Sequence, residues 1–264
     1  LCNRNYEGLI RGQGDRVNIP IPNSLVVGDY TGSDITFGSP SDDTTQLIID
    51  KAKFISGFID DTKQSVSPYD LANIYLEDGK VQLADAIDQI IFETMASQAH
   101  ANNTIDTVAL TTSNIVTKTE EARKLLSLSR VSPSADTFIA YSPEEVSLLR
   151  RSSDFIKATD LSDTVLLTGQ VGKIFGFRVL ESMNVFAQDP ATITSGNPVH
   201  RLIPFGVTGA TTFASAIPAN SVEIGRAEKR FGTYFKALQF FGTKVIRPLA
   251  MGVIKADTGV DGTM

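Results

Sequence analysis

The stretch closest to a phosphate-binding loop is Thr168-Gly-Gln-Val-Gly-Lys-Ile174. Such a loop needs the spacing G-x-x-x-x-G-K followed by Ser or Thr, because backbone amides and the lysine hold the phosphates while the hydroxyl binds magnesium. Here the glycines stand too close together, and Ile174 occupies the place of the hydroxyl. We therefore predict a hairpin turn at this stretch. Gly12-Gln-Gly14 lacks the third glycine of a dinucleotide site and is also predicted to be a turn.

Adjacent carboxylates are the next candidates, because two nearby acids can serve as the acid and the base of a hydrolase. They occur at Asp42-Asp43, Asp60-Asp61 and Glu120-Glu121. All three pairs fall in predicted turns or at predicted helix starts, where carboxylates are expected for capping and solubility. A cytosolic α+β hydrolase that uses one of these pairs is kept as an alternative. It would lose its activity when Asp60 or Asp61 is replaced by Asn.

Nucleophiles and metal ligands are sparse. No serine lies in a G-x-S-x-G elbow. His100 and His200 are isolated, and the single Cys2 allows no internal disulfide, so no metal cluster or disulfide framework is predicted. We place His100 on the polar side of a helix near its C-terminal end, where a cation is favoured. The sequence predicts no catalytic, cofactor-binding or metal-binding residue, and hence no cofactor and no enzymatic activity.

The composition is that of a folded protein. The chain has 264 residues, 42% hydrophobic and 20% charged, enough for one large domain or two modest ones. Its net charge of −6, without runs of Lys or Arg, argues against electrostatic capture of nucleic acid. No apolar run approaches the ~20 residues of a membrane span, so no membrane association is predicted. Because the first residue is Leu1, we expect that an N-terminal piece has been removed or is not represented.

The strongest helical pattern runs from Asp78 to Asn103. Apolar residues recur there at steps of three and four, which is typical of an amphipathic core helix and predicts a rod roughly 33 Å long. We expect Asp78 to cap its start and the Asn102-Asn103 pair to close it with a left-handed turn. Ahead of it, Ser67-Pro-Tyr-Asp70 predicts the start of a separate short helix.

Strand signals dominate residues 15–61. Short apolar alternations around Val17 and Ile35 precede the longest strand candidate, Thr45 to Ile59, with polar turns between them. Together they predict a long antiparallel hairpin. A two-stranded ribbon is marginal by itself in water, so this one needs another surface to lie on.

The remainder alternates helix and strand and then returns to strands. We predict a strand at 105–110, a helix at 119–128, a buried strand at 137–141, a helix from 142 to 150, and strands with tight turns over 165–180. Residues 186–220 are predicted to be loops around short elements, residues 221–254 strands, and residues 255–264 a polar surface tail.

Several groups of residues stand in a particular order along the chain. They are Gly14–Pro22 with Asp29-Tyr30, Leu83–Asp88, Phe138–Pro143 with Leu148-Leu149, Gly172–Val179, and Glu223–Pro248. In this order, and with a long hairpin, a long helix, an α/β lobe and final strands, the chain from Asn3 to Lys255 resembles the major capsid proteins of tailed double-stranded DNA bacteriophages, the Hong Kong 97-type fold. The arm expected ahead of the hairpin is short or missing here.

The resemblance implies an α+β fold with an extended β-hairpin loop, a spine helix and an α/β axial domain. It divides the chain into a remnant of the N-terminal arm (1–14), the extended loop (15–62), a peripheral domain with the spine helix (63–118), the axial domain (119–219), and return strands of the peripheral domain with a C-terminal tail (220–264). It also implies a subunit interface made by hairpin residues that a single subunit would expose. These are Val26, Val27, Asp29, Tyr30, Ile35, Phe37, Leu47 and Ile49.

The implied function is structural. Hexamers and pentamers of the chain would tile the icosahedral head of a virion, which encloses packaged double-stranded DNA without sequence-specific binding. The implied partners are further copies of the chain and scaffolding, portal and decoration proteins, and assembly would take place in the host cytoplasm. An encapsulin-like cellular compartment is the alternative within the same fold. Neighbouring terminase, portal and protease genes would indicate a phage, and a cargo enzyme gene a compartment.

Overall fold

Helices and mixed sheets make up the part of the chain that the structure, a computed structural model, describes. The described residues are 1–7, 16–22, 29, 42–66, 69–152, 172–185, 198–215 and 222–261. The helices are α1 (Asp61–Val66), α2 (Leu71–Ser97), α3 (Ile115–Leu128) and α4 (Pro143–Arg151). The strands form a two-stranded ribbon, a four-stranded sheet and a six-stranded sheet, so the predicted α+β class is confirmed.

The predicted rod is α2, but it begins earlier than expected. Helix α2 starts at Leu71, so Asp78 lies inside it and does not cap it. Instead the Asp70 carboxylate accepts hydrogen bonds from the Asn73 side chain at 2.6 Å and from the Asn73 backbone at 3.5 Å. The predicted short helix and the rod are one helix of 27 residues, about 40 Å long.

The other end of α2 also differs from the prediction. The helix ends at Ser97, and residues Ala101–Asn103 form a 3-10 turn. His100 precedes this turn and accepts the Asn102 backbone N–H on Nδ1 at 3.2 Å, so it does not lie on the polar side of the helix. The predicted left-handed closure at Asn102-Asn103 is wrong, because Asn103 is buried and its amide donates to the Leu249 and Met251 carbonyls at 2.8 and 3.1 Å.

The predicted hairpin is present at its base. Strands β1 (Arg16–Pro22) and β2 (Asp42–Ile48) pair antiparallel, with Val17 opposite Leu47. The second arm of the hairpin ends at Ile48 and does not continue to Ile59. Residues Lys51–Asp60 form a separate strand, β3, which pairs with a strand near the end of the chain.

The four-stranded sheet gathers β3 and three later strands. They are β9 (Thr211–Ser215), β10 (Val222–Arg226) and β11 (Gly232–Val245). Strand β11 is central: β10 and β3 flank it, and β9 pairs with its second half. Ile59 of β3 and Phe235 of β11 pack against Leu76 of α2, so β3 belongs to the core of the long helix rather than to the hairpin.

The six-stranded sheet has the order β4-β12-β8-β5-β7-β6. Its strands are β4 (Thr104–Ala109), β5 (Thr137–Tyr141), β6 (Lys173–Ile174), β7 (Phe177–Glu181), β8 (Pro198–Val207) and β12 (Met251–Asp261). The predicted loop region 186–220 therefore contains strands β8 and β9, and the predicted surface tail begins inside a strand whose Ala256 is buried. Strands β4 and β12 pair with each other, so this sheet crosses the predicted domain boundaries at residues 119 and 220.

Helix α2 contributes to the cores of both large sheets. Leu83 and Ile87 pack with Phe241 of the four-stranded sheet. Further along, Phe92 and Met95 enter the main core formed by the six-stranded sheet. The predicted long amphipathic core helix is confirmed.

The predicted buried strand at 137–141 and the helix that follows it are confirmed. Every residue of β5 is buried. Helix α4 begins as expected, with Ser142 as its cap, Pro143 at the first position, and Glu145 accepting the Ser142 backbone N–H at 2.9 Å. This reciprocal arrangement satisfies amide groups that a helix start otherwise leaves unpaired.

Candidate subunit interface

The stretch that resembled a phosphate-binding loop is a hairpin where the structure describes it. Lys173 and Ile174 form strand β6, and a turn at Phe175-Gly176 leads into β7. Both turn residues have a positive φ, 48° and 84°, which suits the glycine. A phosphate-binding loop would instead lead into a helix, which this stretch does not do. The turn itself lies at Phe175-Gly176, just beyond the stretch for which it was predicted, and residues 168–171 lie outside the described residues.

The acid pairs do not converge on a cleft. Asp60 is half-buried and accepts the Thr62 backbone N–H at 2.9 Å and its hydroxyl at 2.6 Å. These hydrogen bonds lower the pKa of Asp60. Asp61 is bonded to Arg226, and Glu121 to Lys118 at 2.6 Å. The side chains of Asp42 and Asp43 lie outside the described residues. Each described pair is thus engaged in local capping or surface ion pairs.

Among the residues that the structure describes, no group of three His, Cys, Asp or Glu side chains is placed to hold a metal ion. None of the helices described there is both long and apolar enough to cross a membrane. The side chain of His200 lies outside the described residues.

The predicted interface residues fall into three groups. Val26, Val27, Tyr30, Ile35 and Phe37 lie outside the described residues, and Asp29 is exposed. Leu47 is fully buried in its own chain, where it packs with Val17, Ile19 and Ala214, and Ile49 is half-buried against the same cluster. The expectation that a single subunit exposes Leu47 is therefore wrong, because the base of the ribbon already lies on its own β9.

The exposed apolar side chains are concentrated elsewhere. Of the seventeen large hydrophobic residues that are exposed in the described part, eleven lie within residues 54–81 and 224–240. They are Phe54, Phe58, Val66, Tyr69, Ile74, Tyr75, Val81, Ile224, Phe231, Leu238 and Phe240. Single exposed apolar residues are ordinary, but a concentration in one lobe marks a surface that another molecule covers.

Four of these residues form what we call the outer face, the side of the four-stranded sheet turned away from α2. They are Phe54, Phe58, Leu238 and Phe240. Phe54 lies directly opposite Leu238 in the register of β3 and β11, and is 71% exposed. On the other side of the sheet, Phe235 and Phe241 are buried against α2. Both faces of this sheet are therefore apolar, although only one is covered by the chain's own helix.

An ion pair lies on the outer face, between the row of Phe54 and Leu238 and the row of Phe58 and Tyr234. Lys236 forms an ion pair with Glu223 at 2.9 Å, lies 5.8 Å from the centre of the Tyr234 ring, and the Tyr234 hydroxyl donates to Glu223 at 3.2 Å. The hydrogen bond between Lys236 and Glu223 lowers the pKa of Glu223 and raises the pKa of Lys236, so both side chains remain charged. The outer face therefore combines exposed apolar side chains with one charged pair, and protein–protein interfaces likewise combine apolar and polar contacts.

Two open grooves flank the outer face. One, of about 650 Å³, is lined by Phe54, Val222, Ala237 and Leu238 with the Lys236–Glu223 pair at its edge. The other, of about 580 Å³, lies between β3 and α2 and is lined by Phe58, Leu71 and Tyr75 among others. Both are apolar and open, which suits a segment of another protein chain better than an enclosed small ligand.

The comparisons with known proteins bear on the fold. No protein-family model and no curated protein matches the sequence. Among solved structures, a chain of Mycobacterium phage Che8 matches with a TM-score of 0.80 and 24% identity, over 96% of this chain and 88% of that chain. The capsid of cyanophage P-SCSP1u matches with a TM-score of 0.75 and 16% identity, over 92% and 84%. This chain has the phage-capsid fold.

The phage-capsid fold extends over almost the whole sequence. The mature capsid of bacteriophage PhiM1 shares it with a TM-score of 0.66 and 15% identity, over 98% of this chain and 89% of that one. A virus-like particle from Pyrococcus furiosus matches less closely, with a TM-score of 0.54 and 9% identity, over 91% and 86%. The α+β capsid fold implied by the sequence resemblance is thereby confirmed.

Proposed function

We propose that the protein is the structural subunit of a phage head, a major capsid protein that assembles into hexamers and pentamers of an icosahedral virion shell. The observation that carries the proposal is the match to phage capsid chains over nearly the full length of the sequence. The uncovered outer face supports it independently, since a shell subunit needs broad contact surfaces rather than a pocket. The role is structural and not enzymatic.

The outer face supplies contact energy that a single subunit cannot use. Fully burying a large apolar side chain contributes on the order of 1.5–3 kcal/mol. Phe54, Phe58, Leu238 and Phe240 are all at least 38% exposed, so covering them with a second copy recovers part of that amount for each. Closed symmetry repeats each contact many times, so modest contacts produce a stable container.

The hairpin remains part of the proposed interface. We propose that its predicted contact residues Val26, Val27, Tyr30, Ile35 and Phe37, together with the exposed Asp29, contact a neighbouring copy. Leu47 and Ile49 act differently, as anchors that hold the ribbon base on β9. Under this proposal the tip reaches a neighbouring copy while the base stays fixed to its own subunit.

The domain division is proposed with revisions that follow the strand pairing. The peripheral domain comprises β3, β9, β10, β11 and most of α2, so β9 is taken out of the range 119–219. The axial domain comprises residues 119–219 together with β4 and β12, because these two strands pair with each other and β12 also pairs with β8. The hairpin is the extended loop, and residues 1–14 are the arm remnant.

The remaining partners are proposed from the capsid role. Copies of the chain assemble with scaffolding, portal and decoration proteins in the host cytoplasm and enclose double-stranded DNA. The chain carries a net charge of −6, so no strong electrostatic binding of DNA by the shell wall is part of the proposal. No base-specific contact and no membrane contact is part of the proposal.

Electron microscopy tests this proposal directly. The purified chain, expressed alone and with the scaffolding and portal proteins of the same gene cluster, should form closed icosahedral shells. A chain that folds, as judged by circular dichroism, but stays monomeric under every one of these conditions would contradict the capsid role.

An encapsulin-like compartment is the second candidate, and the match to the virus-like particle from Pyrococcus furiosus is the observation that favours it. That match is less close than those to the phage capsids. Shells purified from the native source decide between the two: packaged double-stranded DNA indicates a phage head, and an enclosed enzyme indicates a compartment.

A further inference from the structure

Strand β3 is a long edge strand with an uncovered neighbour position. Within the described residues it pairs on one side only, with β11. It has ten residues and contains no proline, and its register with β11 runs without interruption from Lys51 to Asp60. Alternate backbone N–H and C=O groups of such an edge point outward and can pair with another strand.

The side chains beside this edge suit a strand-shaped occupant. The groove between β3 and α2 runs along it, lined by Phe54, Phe58, Leu71 and Tyr75. Phe54 and Phe58 point to the same side of the sheet and are 71% and 41% exposed. An added strand would bury apolar surface as well as pair its backbone.

Charge along β3 indicates which strand fits. Lys51 and Lys53 stand at its start, and Asp60 and Asp61 at and just beyond its end. Neither lysine has an ion-pair partner among the residues that the structure describes. Lysine commonly protects an edge from pairing. Here the side-chain charge changes from positive at the start of the strand to negative at its end. An antiparallel second copy of β3 therefore places opposite charges next to each other.

We infer that β3 pairs antiparallel with β3 of a second copy about a two-fold axis through Ser56. Side chains alternate between the faces of a sheet, so a two-fold strand pair requires one residue to face itself. Centring the pair on Ser56 places Phe54 opposite Phe58 of the second copy and Ala52 opposite its Asp60. Lys51 then lies beside Asp61 of the second copy, the first residue of α1. The Asp61 carboxylate, although bonded to Arg226, retains acceptor sites.

The neighbouring register is less favourable. Centring the pair on Ile55 would place Asp50 opposite Asp60 of the second copy, which sets like charges against each other. It would also place Lys51 opposite Ile59. The two-fold pair through Ser56 joins two four-stranded sheets into one continuous sheet and makes the outer faces of both copies continuous. This inference rests on the proposed function in one respect, namely that copies of the chain contact one another.

Disulfide trapping tests the pairing in the full-length chain, with Cys2 replaced by Ala so that the introduced thiol is alone. In the Ser56→Cys variant the two thiols face each other across the axis, at a backbone separation of about 4.5–5.5 Å that a disulfide can bridge. The Ala52→Cys control places its thiols on the same strand and face, but roughly 27 Å apart across the pair. Mild oxidation followed by a non-reducing gel measures the cross-linked fraction.

We expect about tenfold more disulfide-linked dimer from Ser56→Cys than from Ala52→Cys, because pairing holds the first two thiols at a high effective concentration. Adding Lys51→Glu to Ser56→Cys should lower the yield, whereas adding Lys173→Glu, an exposed lysine on β6, should not. Equal yields from the two cysteine variants would overturn the inference, and would also be the result if a different protein's strand covers this edge. Circular dichroism confirms that each variant is folded.

Imaging the same preparations separates this inference from the proposed function. If the oxidised Ser56→Cys variant assembles into shells in which the two introduced thiols are not linked, the β3 pairing is overturned and the capsid role stays intact. Cross-linked dimers that never form shells, even with the scaffolding and portal proteins, would support the pairing and contradict the capsid role.

Discussion

Gly57 lies directly against the ring of Phe235, its neighbour in the register of β3 and β11. A Cβ atom at position 57 would be 2.2 Å from Cζ of that ring. The same ring packs with Ile59 and Leu76, so it joins the edge strand to the long helix. The absence of a side chain at Gly57 is what allows the sheet to approach α2.

Replacing Gly57 with Ala should therefore destabilise the protein. The ring of Phe235 is buried, so an added Cβ atom must displace it, and overpacking a core costs about 1–3 kcal/mol. Urea unfolding followed by circular dichroism measures the change. Gly172→Ala is the matched control, because no atom lies within 4 Å of a Cβ there and its effect should be small. Equal stability of the Gly57 variant and the unmodified chain would contradict the predicted clash.

The buried hydroxyl pair between α3 and β5 gives a second prediction. Thr119 and Tyr141 are fully buried, and their hydroxyls form a hydrogen bond of 2.8 Å. Thr119→Val keeps the shape of the side chain but leaves the tyrosine hydroxyl without this partner, at a cost of about 1–3 kcal/mol in the free energy of unfolding. The Thr119→Val/Tyr141→Phe double variant should lose less than the sum of the single changes. Additive losses in chemical denaturation would show that the two hydroxyls are not coupled.

The outer face should be required for assembly but not for folding. Phe54→Glu places a charge at the centre of the face, and a buried unpaired carboxylate is strongly unfavourable. We expect this variant to retain its circular dichroism spectrum and to form no shells in electron micrographs. Met183→Glu, at a residue 81% exposed outside this lobe, should assemble normally. Normal shells from Phe54→Glu would exclude this face from the contacts between subunits.

Cys2 should react slowly. Burial raises the pKa of its thiol to about 11, and the thiolate is the reactive form. At pH 8 alkylation should be roughly 100-fold slower than that of a free thiol, and the rate should keep rising with pH to reach half its maximum near pH 11. Mass spectrometry after timed iodoacetamide treatment measures it, with the urea-unfolded chain as the fast control. A rate that levels off by pH 9 would contradict a raised pKa.

Local signals predicted local structure well. The run Thr137–Tyr141 is entirely apolar or small and is followed by Ser142-Pro143, and both the buried strand and the capped helix are confirmed. The start of the long helix was predicted too late, at Asp78. An aspartate followed by glycine is typical of a helix boundary, whereas here both residues lie inside the helix. Gly79 is needed there for another reason: a Cβ atom would be 2.7 Å from Ile55 of β3.

Pairing between distant segments was not accessible to periodicity. Strand β3 pairs with β11 across more than 170 residues of sequence, and nothing within residues 51–60 distinguishes that pairing from an extension of the hairpin. The outer face was missed for the same reason. Its apolar residues come from two separated strands, and each strand also carries apolar residues on its covered side, so neither shows a clean alternation.

The amide of Asn103 shows how a residue judged only by its local turn can be misassigned. Its oxygen accepts the Ser129 hydroxyl at 2.7 Å while its nitrogen donates to two carbonyls before and within β12. These partners lie at the end of α3 and near the end of the chain, so only the tertiary structure reveals why an asparagine stands there.

Because one unbroken helix is embedded in the cores of both large sheets, the two halves of the molecule cannot tilt independently without bending that helix or uncovering Leu83 and Phe92. The long helix in this sense makes the two halves of the subunit one rigid unit. Under the proposed function, differences in curvature between five-fold and six-fold positions of the shell would then be accommodated at the contacts between subunits.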